Sequence, residues 1–163
     1  MFKKLINTDN DVASLVLRIF LAVVFFPHGA QKVLGWFGGY GFAGTYATFT
    51  DTMGIPGFLV LLVFAAEFLG PLGLIAGLFT RVAAFGIMSV MVVAVPMLHW
   101  QHGFFMNWFG NQTGEGFEYH LLVIAIAVAL IIKGGGALSV DRVLSGKKVA
   151  GRSNQGGKRY GGP

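Results

Sequence analysis

The sequence predicts an all-α polytopic membrane protein, a bundle of four transmembrane helices with both termini in the cytoplasm. Three observations lead there. Apolar residues make up 55% of the 163 and charged residues only 12%, a balance foreign to soluble globular domains. The apolar residues gather into four runs, residues 12–34, 58–79, 82–98 and 117–132, and a helix of about 20 residues matches the hydrocarbon core of a bilayer. The cations outside these runs, from Lys3 and Lys4 through Arg81 and Lys133 to the C-terminal tail, fall on one side of a four-span path. By the positive-inside rule that side is cytoplasmic.

Residues 1–11 form a short cytoplasmic tail, and residues 12–144 form the membrane domain. A basic start before an apolar run is also the pattern of a secretory signal. This run is too long for one, is interrupted by Arg18, and lacks a small-residue cleavage site, so it is read as a span. Along it Arg18, Ala22, Phe25, Gly29 and Lys32 recur at steps of four and three, so both cations share the face that looks into the bundle. Pro27 is expected to kink the helix just before His28, one turn ahead of Lys32. Lys32 lies near the outer boundary, where snorkelling to the interface is the competing expectation.

Residues 35–56 are a loop rich in glycine and aromatics, with Trp36 and Tyr40 placed as interfacial anchors. Phe42, Tyr46, Phe49 and Met53 have the spacing of one face of a short helix, lying on the membrane surface or over the bundle as a lid.

The second span carries Glu67 near its middle, and an ionisable group at that depth must be neutral, paired or in a wet interior. It either ties helices together or takes part in chemistry. Ala66, Gly70, Gly73 and Gly77 recur at helical spacing beside it, a stripe that admits a close neighbour. Pro71 removes the hydrogen bond that the Glu67 carbonyl would otherwise receive.

Thr80-Arg81 makes a tight turn into the third span, whose Met88, Met91 and Met97 are read as packing. His99-Trp-Gln-His102 begins an outer loop that runs to Gly116. The fourth span is short and polar only at its start, in Glu118, Tyr119 and His120. Glu118 and His120 point to nearly opposite faces of a helix, and Glu118 is expected to face inward. Gly134-Gly-Gly136 stops that helix. Ser139 to Leu144 reads as a short capped turn, and residues 145–163 as a basic, disordered tail attracted to anionic lipid rather than to nucleic acid.

At 1.5 Å per residue Arg18 lies about 9 Å and Glu67 about 18 Å inside the cytoplasmic boundary, with His28 about 6 Å beyond Glu67. Either Arg18 or His28 is then a candidate partner for the carboxylate. The catalytic candidates are therefore Glu67, His28 and Arg18. Lys32, Trp36, Glu118 and Tyr119 are candidates for binding a quinone, whose membrane sites need aromatic walls and a proton donor or acceptor. A bis-histidine haem from His28 and His120, or a metal held by His99, His102 and Glu115 or Glu118, finds weaker support. Neither haem nor a metal is expected. Cysteine is absent, so the chain has no thiol chemistry of its own.

Several short elements in fixed order resemble one family: Arg18, His28-Gly29 and Lys32; Met53-Gly-Ile-Pro56; Glu67 with Gly70, Gly73, Leu78 and Thr80-Arg81; then Gly134 to Gly136, Ser139 and Asp141. Together they resemble the DoxX family over residues 12–144. That resemblance implies a four-helix protein of the bacterial inner membrane, working with redox or stress enzymes. The expected function is a membrane subunit of a quinone-linked oxidoreductase or respiratory complex, with a quinone as cofactor. Lipid, other redox subunits or a second copy of the chain are the expected partners, and nucleic acid is not. The alternatives are a non-catalytic anchor or assembly partner and a small-solute or metal-handling protein.

Overall fold

Asp11 opens the first long helix by accepting a hydrogen bond from Ala13 N at 3.0 Å, the side-chain cap that an orphan first-turn N–H needs. The computed structural model describes residues 2–146, and every regular element among them is helical. Helix α1 is Phe2–Ile6 and α2 is Val12–Leu34. Helix α3, Gly41–Ala47, runs into a π turn over Thr48–Thr52. Helices α4, Gly57–Ala76, and α5, Thr80–His102, follow. Helix α6 is Glu118–Lys133 and α7 is Val140–Leu144. The basic tail beyond residue 146 lies outside the described residues.

Among the described residues three helices, α2, α4 and α5, are long and apolar enough to cross a membrane, at 23, 20 and 23 residues. The chain is a membrane protein on that ground and on the face it turns outward: Phe20, Val23, Phe58, Leu62, Phe85 and Ile132 all stand exposed. Apolar surface of that extent is what lipid solvates and water does not. Helix α6 packs along α5 and α2, and its 16 residues extend about 24 Å.

The interior is built from small and medium side chains. Leu21, Ala22 and Phe25 of α2 meet Leu74 of α4, Ala84, Ile87 and Met91 of α5, and Val123, Ala127 and Leu130 of α6. Small residues bring the backbones close, which is how helices associate without a hydrophobic drive between them. A Cβ at Gly86 would stand 3.2 Å from the Ala66 Cβ.

Two of the long helices contain π turns next to a proline. In α4 the π turn is Ala65–Leu69, ahead of Pro71, and in α5 it is Val95–His99, with Pro96 inside it. The ring removes one N–H, and the π turns, closed by Gly70 N on the Ala65 carbonyl and by Trp100 N on the Val95 carbonyl, keep each helix continuous past it. This is why α5 continues to His102, where the sequence placed an outer loop from His99. Helix α3 docks on the bundle, with Phe42 stacked on Tyr46 and 5.0 Å from the Phe64 ring.

One end of the bundle is tied by charge. Arg18 is 1% exposed, and its guanidinium donates to the carbonyls of Leu74, Ile75, Gly135, Ala137 and Leu138 at 2.6–3.1 Å. Leu74 and Ile75 belong to the last turn of α4, where free carbonyls and the helix dipole favour a cation. Asp141, also buried, accepts from Phe79 N and Thr80 N and so caps α5 from a distant part of the chain. Arg81 donates to Leu5, Asn7, Ile131 and Ile132 carbonyls, joining the N-terminal segment to the end of α6.

Candidate functional site

Glu67 lies inside the π turn of α4, 4% exposed. Its main-chain carbonyl, deprived of a donor by Pro71, is covered by Gly29 of α2, where a Cβ would overlap the Glu67 carbonyl and the Phe68 Cα. That close approach carries the next turn of α2 alongside the carboxylate. Lys32 Nζ lies 2.5 Å from Glu67 Oε2, and the two side chains are 23% and 5% exposed. A nearly buried acid and a partly buried ammonium form a direct ion pair between two membrane helices, stabilised in a low dielectric only by their mutual contact.

Two expectations are corrected here. Arg18 does not neutralise Glu67: its guanidinium is spent on five carbonyls at the tied end, two from the last turn of α4 and three from the segment between α6 and α7, and these take every donor. Lys32 does not snorkel outward, because the carboxylate is within reach and an ion pair outcompetes the interface.

His28 stands one turn before Lys32 on the surface of α2, 6.1 Å from the Phe25 ring, and lies within electrostatic range of both Lys32 and Glu67. Tyr119 of α6 is also within range of Glu67, and its hydroxyl is buried without a hydrogen-bond partner. Phe26 stacks on Phe68 at 6.0 Å and meets Trp36 edge-on at 6.4 Å, which gives an aromatic wall next to the pair. Trp36 itself is 53% exposed.

Glu118 is not the inward residue of α6. Its Oε1 accepts from Met106 N and Trp108 Nε1, both at 2.9 Å, and it braces the loop of residues 103–117. The loop's own N–H groups draw the carboxylate away, and His120 takes the interior position at 5% exposure. His120 packs against His99, an association that sequence spacing does not signal because the two lie on different helices. Among the described residues no three His, Asp or Glu side chains gather as a metal-binding group.

The fold and this pair define a small helical membrane protein with an internal ion pair on adjoining spans. The chain belongs to the DoxX family, whose model matches residues 13–100. It is 31% identical over 138 residues to "Inner membrane protein YqjF" of Escherichia coli (strain K12), covering 85% of this chain and 96% of the relative. It is 29% identical over 143 residues to "Putative oxidoreductase CatD" of Bacillus subtilis (strain 168), covering 87% and 95%. No solved structure matches the chain significantly.

Proposed function

We propose that this chain is the membrane subunit of a quinone-linked oxidoreductase, with the Lys32–Glu67 pair as the place where a quinone head group docks. The ion pair itself carries the reading, since a buried acid on a π turn, paired with a partly buried ammonium from the neighbouring helix and beside an aromatic wall, is what a proton-coupled carbonyl site requires. The residues suit such a head group. Lys32 is partly open, the orphaned Tyr119 hydroxyl has a donor to offer, and Phe26 and Phe68 supply flat apolar faces. A bound quinone would supply two-electron, two-proton redox chemistry.

In this reading the Lys32 ammonium stabilises negative charge developing on an oxygen, and the Glu67 carboxyl passes a proton to or from it. His28 lies one helical turn away on the surface of α2, and in this reading it is the imidazole that relays the proton to or from the pair. Electrons come from a partner subunit, because the chain has no cysteine to carry them. The name of the Bacillus subtilis relative is consistent with an oxidoreductase role.

The same proposal includes α6 as a fourth span, both termini in the cytoplasm and residence in a bacterial inner membrane. Support comes from Lys3, Lys4, Arg81, Lys133 and Arg142 grouping at the end where Arg81 binds the Leu5 and Asn7 carbonyls, and from the Escherichia coli relative's name. Because the chain lacks cysteine, single cysteines at Asn10 and Asn111 labelled with an impermeant reagent in sealed vesicles test the topology. The test of function is quinone reduction by the purified complex: Glu67→Gln abolishes it while the complex still assembles. An assembled Glu67→Gln complex with full activity would leave the chain as an anchor.

A further inference from the structure

We propose that His99 and His120 form a binding site for a divalent transition-metal ion of the zinc or copper type, at the end of the bundle away from Arg18 and on residues other than the Lys32–Glu67 pair. The two rings come from different helices and lie with centroids 4.0 Å apart at 46°. His99 Nδ1 is 2.9 Å from the Glu115 carbonyl oxygen. A carbonyl only accepts, so Nδ1 holds the proton and Nε2 presents a lone pair. That is the way a metal-ligating histidine is held, with its second nitrogen fixed by a backbone carbonyl.

His120 supplies the independent observation. It is 5% exposed, and its Nδ1 is buried with no hydrogen-bond partner. An imidazole stacked there only as packing would lose the hydration of that nitrogen and receive nothing in return. A cation shared with His99 satisfies it. Two nitrogens bound to one tetrahedral ion at about 2.0–2.1 Å stand close enough together that neighbouring rings reach them by side-chain rotation.

The ligand class follows from the donors. Imidazole suits zinc, copper and nickel, whereas calcium and magnesium ask for oxygen. No third His, Asp or Glu joins the two among the described residues, so the remaining positions belong to water or to a ligand, as in an open rather than a structural site. His99 is half-buried, so its ring is not sealed from an entering ion.

The experiment is titration of the chelator-stripped, full-length chain in detergent with Cu²⁺, followed by electron paramagnetic resonance, and with Zn²⁺ by calorimetry. One saturable ion per chain with nitrogen hyperfine coupling is expected. His99→Ala and His120→Gln should each weaken binding at least about tenfold, while His102→Ala and His28→Ala bind as wild type. Should His120→Gln not fold, His99→Ala decides alone, since that ring is half-exposed. Absence of saturable binding, or unchanged affinity in His99→Ala, overturns the proposal.

Discussion

Gly29 of α2 lies directly against the main-chain carbonyl of Glu67 in α4, with no room for a Cβ between them. Pro71 leaves that carbonyl without its helical donor, and the carbonyl that Gly29 covers lies in the turn where α4 widens into a π turn. The ion pair follows from it, because Lys32 is one turn further along the same face of α2.

Gly29→Ala should therefore push α2 and α4 apart. The backbone contact cannot yield as a flexible side chain would, and overpacking of this sort costs about 1–3 kcal/mol. Thermal unfolding in detergent, followed by loss of the monodisperse peak, should show a lowered midpoint. A midpoint equal to wild type would mean that the two helices do not meet there.

Removing one partner of the pair should be worse than removing both. Lys32→Met leaves a nearly buried carboxylate alone, at a cost of about 3 kcal/mol, while Lys32→Met combined with Glu67→Leu should recover most of the loss. A double-mutant cycle on unfolding midpoints measures this. Additive effects of the two single substitutions would contradict the contact.

Arg18→Lys should not be conservative. A lysine has one nitrogen where the guanidinium serves five carbonyls from two parts of the chain. A loss of about 2–4 kcal/mol is expected from the carbonyls left unpaired. Proteolysis of the segment after α6 should accelerate in the variant, and an unchanged digestion rate would contradict the role given to Arg18.

Asp11 predicts an acid limb to stability. The Ser14 hydroxyl first, then the Ala13 N–H and the charge of Lys133, hold its carboxyl below the usual value of 3.8. A depressed carboxylate stabilises the fold above its unfolded pKa, and the contribution disappears as pH falls through the lower folded value. The wild-type midpoint should fall below pH 3.8 more steeply than that of Asp11→Asn. Parallel curves would count against the cap.

Much of the membrane architecture was legible in the sequence. The long apolar runs, the stripe of Ala66, Gly70, Gly73 and Gly77, and the isolated Glu67 are local patterns, and periodicity reads local patterns well. The placing of Glu67 as the centre of a candidate site came from the cost of a charge at that depth. Its partner did not. Arg18 and Lys32 share a helix face, with His28 one turn before Lys32, and spacing alone could not say which of the three meets a carboxylate on another helix. Likewise Glu118 and His120 compete for the interior, and the loop's N–H groups decide between them.

By itself the sequence determined that the chain lives in a membrane, where its helices run and that an acid in mid-span needs company, because these depend on hydrophobicity and period within one segment. Only the tertiary structure decided the pairings: Lys32 with Glu67, Arg18 with the end of α4 and the segment after α6, Asp141 with the start of α5, and His99 with His120. Each joins residues on separate elements, and the axial offset that brings them level is set by helix packing, down to the missing Cβ at Gly29.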